Sequence, residues 1–259
     1  MDLGISGRAA LVAASTSGLG FAIAQALARE GVRVVVNGRS SEHVDAAVEQ
    51  IRAEGGDAVG IAADLATSVT DLLERAHAAV GDIDILVLNG GGPRPLSAGD
   101  VTESDLDPTF DSLLRPHVAL INALLPGMRE RKWGRIVAVG SSGIQAPLPD
   151  LALSNIGRAA LAGYLKTLAA EVASDGVTVN LVLPGRIDTQ RVQQLDDAAA
   201  AQRGSTPAQV RGEVISTIPA GRYGDPAEFG ATAAFLCSAV AGYITGTALR
   251  VDGGAVPCL

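Results

Sequence analysis

The chain has 259 residues, of which 47% are hydrophobic, 19% are charged and 31 are glycine. This composition is typical of one large α/β domain and excludes a disordered, fibrous or coiled-coil protein. The formal charge of −8 at pH 7 argues against binding to nucleic acid or anionic lipid, because both require a basic surface.

Cysteine and histidine are too sparse for disulfide or metal chemistry. Cys237 and Cys258 do not make a disulfide framework for a chain of this size, and no Cys/His cluster has the spacing of a metal site. Asp2 stands where a signal peptide would be basic, and no stretch reaches the roughly 18 uninterrupted apolar residues of a membrane span. We therefore expect a soluble, cytoplasmic protein without a metal.

Short apolar runs alternate along the chain with longer segments of helical period. This alternation predicts βαβ units and a doubly wound parallel sheet with helices on both faces, an α/β fold. Seven strands are predicted, at residues 9–14, 32–37, 58–62, 83–88, 135–140, 177–183 and 248–251. Helices are predicted at residues 20–29, 41–54, 68–80, 103–131, 151–174 and 226–238.

One segment, residues 188–217, breaks the alternation because it is polar and too long for an ordinary connection. It follows the sixth strand, so it would lie over the carboxyl ends of the strands, where open α/β sheets bind ligands. We interpret it as a substrate lid; the alternative is a disordered insertion.

The first predicted strand runs into a glycine turn and then a helix. Such a turn aims backbone N–H groups and a helix N-terminus at a pyrophosphate. Strand, turn, helix and second strand follow in order within about 30 residues, which favours a dinucleotide site over a tight turn without ligand. The turn residues assigned to the cofactor are Ser15, Ser17, Gly18, Leu19 and Gly20.

The end of the second strand indicates which dinucleotide is bound. A carboxylate about 20 residues past the glycines holds the 2′-hydroxyl of NAD(H), whereas arginine holds the 2′-phosphate of NADP(H). No acid occurs here before Glu42, and Arg39 is followed by Ser40 and Ser41, either of which could donate a hydrogen bond. The sequence therefore favours NADP(H), with NAD(H) possible; alternatively, Arg39 is a solvated loop charge.

Landmarks along nearly the whole chain carry a family resemblance. They are Gly18 and Gly20, Asp64-Leu65, the run Asn89 to Pro93, residues 134–137, Ser141, Asn180, Pro184-Gly185 with Thr189, and residues 251–254. In this order they resemble the short-chain dehydrogenases/reductases, particularly the branch similar to 3-ketoacyl carrier-protein reductases.

The resemblance implies a Rossmann fold over residues 1–259 as a single domain. It also implies an adenine contact at Asp64 and Leu65, and a cofactor wall made by Asn89, Gly90 and Gly91. The nicotinamide amide would be held by the turn containing Pro184, Gly185, Ile187 and Thr189.

The catalytic set departs from the family pattern, which is Asn, Ser, Tyr and Lys. Ser141 is present, but the Tyr position thirteen residues later is Ser154, the Lys position four further on is Arg158, and the Asn position is Leu113. A serine hydroxyl is a far weaker acid than a phenol, whose pKa near 10 can be lowered toward neutrality, and arginine keeps its proton. Ser154 therefore cannot simply replace the tyrosine.

Three hypotheses follow. In the first, Ser141, Ser154 and Arg158 polarise a carbonyl group in an NADP(H)-dependent reductase, the proton coming from water or substrate, and Arg158 also binds the cofactor. In the second, the protein is an inactive NADP(H)-binding scaffold. In the third, it catalyses a non-redox reaction such as dehydration, isomerisation or cyclisation.

Further residues are candidates for the site. His117 lies one helical turn after Leu113 and is a candidate proton relay or a packed structural histidine. Arg94, Gln145 and Arg186 are candidate substrate contacts on loops, and Arg186 is alternatively an ion-pair partner of Asp188. The three lid arginines fit a carboxylate or acyl-carrier substrate or a solvated face: Arg191, Arg203 and Arg211.

The predicted helices at 103–131 and 151–174 carry more apolar positions than one sheet face needs. Some of their leucines would lie between subunits of a homo-oligomer, a dimer or the tetramer that the resemblance implies, or else in a thicker monomer core. These leucines are Leu113, Leu114, Leu120, Leu124, Leu161 and Leu165.

Overall fold

The computed structural model describes residues 2–257. Cys258 lies outside these residues. Seven parallel strands form one sheet in the order β3-β2-β1-β4-β5-β6-β7, which confirms the predicted fold class. The strands are β1 Ala9–Val12, β2 Arg33–Gly38, β3 Asp57–Ala62, β4 Ile85–Leu88, β5 Gly134–Val139, β6 Val177–Pro184 and β7 Ala248–Val251.

Nine α-helices of the described chain connect or flank these strands. They are α1 Gly18–Arg29, α2 Ser41–Ala53, α3 Val69–Val80, α4 Leu106–Leu113, α5 Arg115–Glu130, α6 Ala152–Val172, α7 Gln190–Arg203, α8 Pro207–Ser216 and α9 Pro226–Leu236. Within residues 2–257, no helix is long and apolar enough to cross a bilayer.

The sheet is buried on both faces because successive side chains of a strand point to opposite sides. In β1, Ala9 and Leu11 join a core shared with α3, α5 and α6, whereas Ala10 and Val12 join a core shared with α1, α2 and α9. This two-sided burial explains why the strands read as continuous apolar runs.

The predicted helix at 103–131 is divided. A 3-10 turn at Glu103–Asp105 precedes α4, and α5 begins after a break at Leu114, whose backbone lies at φ −126° and ψ −62°. Pro116 favours a helix start there, because it has no backbone N–H to donate to the preceding turn.

The six leucines considered for a subunit interface contribute to the core of the single chain. Five are at most 4% exposed, and Leu114 is partly buried against the same core. Because these leucines lie in the core of one chain, they do not support a subunit interface. Oligomerisation stays a prediction.

The segment predicted as a lid is helical rather than disordered. Thr189 caps α7, and Thr206 with Gln209 forms a capping box at the start of α8. Between the two helices the chain turns at Gly204, whose φ is +64°. The local sequence thus specifies where α7 ends, at Gly204, and where α8 begins, after Thr206.

The strand order reverses between β1 and β4, since β1 continues to β2 and β3 on one side and β4 leads to β7 on the other. A crevice opens at such a reversal beyond the carboxyl ends of the strands. The loops that follow β1, β2, β4, β5 and β6 all reach this edge of the sheet.

Candidate active site

The glycine turn ends in a helix terminus that is free to bind an anion. Ser17 precedes α1 with an extended backbone, and its side chain makes no capping hydrogen bond. Gly18 has φ +56°, a conformation that favours glycine. The first N–H groups of an α-helix have no partner within the helix, so this terminus presents donors together with the exposed Ser17 hydroxyl.

Two asparagines hold the turn by its Ala14 backbone, which has φ +45°. The Asn37 side-chain oxygen accepts from the Ala14 N–H at 3.3 Å, and the Asn89 side-chain amide donates to the Ala14 carbonyl oxygen at 2.9 Å. Backbone strain of this kind persists only where neighbours enforce it. Asn37 was not among the predicted site residues, although it ends an apolar strand as Asn89 does, and that is the signal by which it could have been found.

The structure corrects the prediction that the Ser15 side chain contacts the cofactor. It is fully buried, and its hydroxyl donates to the Val12 carbonyl at 2.6 Å and accepts from the Asn37 N–H at 3.0 Å. Because these bonds join its side chain to the strands, the Ser15 hydroxyl is not free to bind a cofactor.

Arg39 stands at the end of β2, exposed, with no ion pair or hydrogen bond to any described residue. Ser40 next to it caps α2, its hydroxyl accepting from the His43 N–H at 3.4 Å. An unpaired guanidinium beside a helix N-terminus fits a phosphate group.

The loops after β3 and β4 form the sides of the crevice. Asp64 is exposed, and its carboxylate accepts from the Ala66 N–H at 3.0 Å, while Leu65 packs against the core. Gly91 is exposed, and a Cβ there would meet nothing within 4 Å, whereas one on Gly90 would lie 3.8 Å from His117 Nε2. The loop after β4 is therefore open on the crevice side.

Arg158 reaches the carboxyl end of β5 from the first turns of α6. Its Nη1 donates to the carbonyl oxygens of Val139 at 2.8 Å and Gly140 at 3.2 Å. Burial lowers the pKa of the guanidinium, and no acidic side chain of the described chain raises it again. Among the described residues, Arg158 is a partly buried cation with no acidic partner.

Two serines accompany this cation. Ser141 follows Gly140 directly, and its hydroxyl accepts from the Gly143 N–H at 3.1 Å. Ser154 lies one turn before Arg158 on the same face of α6, is partly exposed, and its hydroxyl has no hydrogen-bond partner in the described chain. Ser141 and the Arg158 guanidinium therefore lie at the end of β5, and Ser154 lies one helical turn from Arg158 along α6.

Leu113, at the family's asparagine position, is a core residue. A Cβ on Gly157 would lie 2.7 Å from its Cδ1, so the leucine side chain packs directly against α6. Its carbonyl oxygen lies 2.9 Å from Nδ1 of His117, and Nε2 of His117 lies 3.4 Å from the Asn89 carbonyl oxygen.

His117 is 3% exposed between these two carbonyls. Burial lowers its pKa, the two carbonyl contacts raise it, and the positive charge of Arg158 lowers it further. The net direction is downward, so His117 is neutral near pH 7. A neutral, enclosed histidine fits the structural interpretation better than that of a proton relay.

The turn after β6 approaches the glycine turn. Thr189 is 8% exposed, caps α7 by accepting from the Val192 N–H at 3.4 Å, and lies with its methyl group 3.8 Å from where a Cβ on Gly18 would be. Pro184 ends β6, and Ile187 is buried.

Gly185 is required in this turn, because a Cβ there would lie 2.6 Å from Cα of Asp252. The absence of a side chain therefore lets the turn after β6 pack on the segment after β7.

The predicted substrate contacts are largely engaged in ion pairs. Arg94 pairs with Asp105 at 2.7 Å, and Gln145 is exposed. Arg186 pairs with Asp196 at 3.6 Å rather than with Asp188, which corrects the alternative considered for it.

Asp188 instead binds Arg211 through two hydrogen bonds of 3.0 and 2.5 Å. Arg211 also lies over the ring of Tyr223, whose hydroxyl donates to Asp196 at 2.9 Å. These contacts fasten α7 and α8 to the loops after β6 and before α9. Sequence reasoning missed this network, because its members are separated along the chain.

Within residues 2–257, no group of three or more His, Cys, Asp or Glu side chains could hold a metal ion.

The chain is similar to known proteins over nearly its whole length. A family model described as enoyl-(acyl carrier protein) reductase matches residues 13–256. Dehydrogenase/reductase SDR family member 4 of Bos taurus is 35% identical over 255 residues, which are 97% of this chain and 88% of that protein. The 3-oxoacyl-(acyl-carrier-protein) reductase FabG of Vibrio harveyi is 34% identical over 254 residues, 97% of this chain and 98% of that protein.

Solved structures are similar over the full length. L-sorbose reductase from Gluconobacter frateurii, complexed with NADPH and L-sorbose, superposes with a TM-score of 0.94 at 32% identity and covers 100% of both chains. A variant of actinorhodin polyketide ketoreductase with NADPH has a TM-score of 0.91 at 28% identity and covers 96% of this chain and 97% of its own.

Proposed function

The chain belongs to the short-chain dehydrogenase/reductase family, and from that premise we propose that it is an NADP(H)-dependent oxidoreductase with a remodelled active site. Its substrate is a small carbonyl compound or the corresponding alcohol. The remodelled site consists of Ser141, Ser154 and Arg158 in the places of the family's Ser, Tyr and Lys.

The observation that carries the proposal is the unpaired Arg158. A partly buried cation is costly unless oxygen atoms surround it, and residues 2–257 supply only two backbone carbonyls as hydrogen-bond acceptors. The free Ser154 hydroxyl lies one turn away. An oxygen atom of a ligand would complete this set, which is the arrangement needed to stabilise a developing oxyanion.

The crevice residues fit NADP(H). The first turn of α1 with Ser17 would hold the pyrophosphate, and Arg39 with the N-terminus of α2 would hold the 2′-phosphate. The open glycine loop after β4 and the Thr189 turn would enclose the nicotinamide. When bound, the dinucleotide supplies or accepts the hydride. NADPH in the complexes of two structural neighbours supports this choice.

The missing tyrosine lowers the expected rate without removing the reaction. General acid–base catalysis contributes about 10²- to 10⁴-fold, while positioning and oxyanion stabilisation remain. The two serine hydroxyls orient the carbonyl oxygen, Arg158 stabilises the negative charge on it, and water supplies the proton. The helices of residues 190–216 cover the crevice as a lid.

A homo-oligomer is also proposed. Val240, Tyr243 and Leu249 are large apolar side chains exposed on β7 or just before it, and β7 is an edge of the sheet. Exposed apolar side chains at a sheet edge favour association with a second copy. Light scattering during size-exclusion chromatography measures this directly.

Titration of the protein with NADPH and NADH by fluorescence tests the cofactor assignment. We expect NADPH to bind at least 10-fold more tightly than NADH, and Arg39→Ala to remove this preference by weakening NADPH only. Arg75→Ala, which removes an exposed arginine of α3, is the matched control. Equal affinities for the two cofactors in the unchanged protein would contradict the role of Arg39.

Consumption of NADPH with carbonyl substrates tests the activity. Loss of turnover in Ser141→Ala and Arg158→Ala supports the reductase. If the unchanged protein binds NADPH but turns over nothing, while the double variant Ser154→Tyr, Arg158→Lys does, the protein is a scaffold. No affinity for either dinucleotide would favour a non-redox reaction.

A further inference from the structure

The turn after β6 is paired through its backbone with the segment before α9. The Asp188 N–H donates to the Gly224 carbonyl oxygen, and the Gly224 N–H donates to the Arg186 carbonyl oxygen, both at 2.9 Å. Ile187 between them is 3% exposed, and a Cβ on Gly224 would lie 2.6 Å from its Cδ1. The two segments are therefore in close contact, with Arg186 and Asp188 on either side of a buried residue.

Side-chain contacts connect Arg186 to Asp188 by way of α7 and α8. Asp188 accepts two hydrogen bonds from Arg211 of α8, whose guanidinium lies 4.3 Å from the centre of the Tyr223 ring. The Tyr223 hydroxyl donates to Asp196 of α7 at 2.9 Å, and the Asp196 carboxylate lies 3.6 Å from the Arg186 guanidinium. These contacts begin and end in the turn after β6. We call them the five-residue network, which consists of Arg186, Asp188, Asp196, Arg211 and Tyr223.

The five-residue network combines two arginines with two aspartates, and its centre is buried. Asp196 is 4% exposed and Tyr223 is 5% exposed. The hydrogen bonds from Arg211 lower the pKa of Asp188, whereas burial and the bond to Asp196 raise the pKa of Tyr223 to about 12. The phenol therefore stays a hydrogen-bond donor near pH 7. Because a buried carboxylate that loses a partner is costly, we expect the contacts of the network to depend on one another.

We propose that the five-residue network positions the turn after β6 against the nicotinamide of the bound dinucleotide. The inference rests on the proposed function, in which the Thr189 turn encloses the nicotinamide. It adds residues of α7, α8 and the segment before α9, which act through this turn. Asp196, Arg211 and Tyr223 are thus positioning residues.

The place of the network in the fold predicts an effect on one end of the dinucleotide. Ser17 and Arg39, which the proposed function assigns to the phosphate groups, follow β1 and β2. These strands and β6 lie on opposite sides of the strand reversal. Loosening the network should therefore weaken the hold on the nicotinamide and leave the adenosine end nearly unchanged. Residues that only stabilise the fold would not separate the two ends.

Isothermal titration calorimetry with NADPH and with 2′-phosphoadenosine 5′-diphosphoribose, which lacks the nicotinamide, tests the inference. Tyr223→Phe removes one hydroxyl and keeps the aromatic ring beside Arg211. We expect the Kd of NADPH to rise about 10-fold, since a hydrogen bond to a carboxylate is lost, and that of the fragment to change by less than about 2-fold. Tyr164→Phe, which removes the hydroxyl of a tyrosine on α6, is the control and should change neither value.

A second pair of variants tests the network at a less buried residue, in case Tyr223→Phe does not fold. Arg211→Gln breaks the contact with Asp188 and should also raise the Kd of NADPH selectively. Glu213→Gln removes an exposed ion pair with Arg203 at 3.3 Å, which joins α7 to α8 outside the network, and should not. Because the contacts depend on one another, the double variant Tyr223→Phe, Arg211→Gln should show less than the product of the two single effects.

Equal rises of both Kd values in Tyr223→Phe and Arg211→Gln would assign the network to stability alone and overturn the inference, as would unchanged values in both variants. Equal affinities of the unchanged protein for NADPH and the fragment would also overturn it, because the nicotinamide would then gain nothing from the turn. That result would leave the role of Arg39 intact. Failure of the unchanged protein to bind NADPH would contradict the proposed function and the inference with it.

Discussion

A guanidinium group lies at each end of β5, and the two differ in how many hydrogen bonds they make. Arg135 at the amino end is 4% exposed, with Nε donating to the Ser238 carbonyl at 2.9 Å and Nη1 to those of Gly134 and Gly176 at 2.9 and 3.2 Å. Its guanidinium also lies 4.5 Å from the centre of the Trp133 ring.

Arg158 at the carboxyl end uses only Nη1, toward Val139 and Gly140. Neither arginine has a carboxylate partner in the described chain. The difference is that Arg135 is buried at the amino ends of the strands, whereas Arg158 is partly exposed at the carboxyl ends, where open α/β sheets bind ligands.

The largest expected effect is on activity at the carboxyl end. Arg158→Met should lower kcat/KM by about 10²- to 10³-fold, the usual cost of losing an oxyanion donor. The free energy of unfolding should change by less than about 1 kcal/mol, because the lost hydrogen bonds are offset by removal of a poorly solvated charge. Denaturant titration and steady-state kinetics measure the two quantities. Full activity in this variant would remove the distinction between the two arginines.

Arg135→Met should reverse that pattern. Three carbonyl contacts are lost in a buried place, so the free energy of unfolding should fall by about 2–4 kcal/mol. Below the unfolding transition, the affinity for NADPH and kcat should stay at their original values. A selective loss of kcat, with stability retained, would show that the amino end also takes part in the chemistry.

Gly143→Ala perturbs the carboxyl end without removing a charge. The added Cβ would lie 2.5 Å from Oδ1 of Asn155 and 3.2 Å from Oγ of Ser141, so the Asn155 side chain must move and the serine must shift. A misplacement of up to 1 Å near reacting atoms costs up to about 100-fold, so we expect kcat to fall by about 10-fold.

Gly163→Ala is the control for this substitution, since a Cβ at that position of α6 meets nothing within 4 Å. It should leave kcat unchanged and stabilise the helix by up to about 1 kcal/mol. Equal kinetics of both alanine variants would mean that Ser141 does not depend on its close contact with Gly143.

The smallest expected effect is electrostatic and concerns the pKa of His117. Its pKa in the folded protein is lowered, so the unfolded chain binds a proton near pH 6.5 that the folded protein does not. The stability contributed by His117 is therefore present above pH 6.5 and lost as the pH falls through the folded pKa. His117→Gln should reduce the fall in unfolding free energy at acidic pH.

Arg158→Met should raise the pKa of His117, because it removes a nearby positive charge, and the histidine ring resonances would follow this change. Arg135→Met should leave it unchanged, since Arg135 lies at the amino end of β5 and is not among the groups that shift the pKa of His117. A shift of similar size in both variants would contradict the separate environments of the two arginines.

The sequence by itself determined the sheet, because apolar runs buried on both faces leave a pattern that needs no long-range information. The same holds for the glycine turn, for the helical start of α1, and for Ser154 and Arg158 on one face of a helix, since helical spacing fixes that relation.

Only the tertiary structure decided which polar groups already have a hydrogen-bond or ion-pair partner. Ser15 and Ser154 are both serines near turns, yet one is enclosed by β1 and β2 and the other has no partner. Arg186 could not be paired from its sequence neighbours, because its partner Asp196 lies on the next helix. Hydrogen bonds and ion pairs depend on distances between residues far apart in the chain. The same physical reason separates Arg135, which donates to three carbonyls, from Arg158, which donates to two.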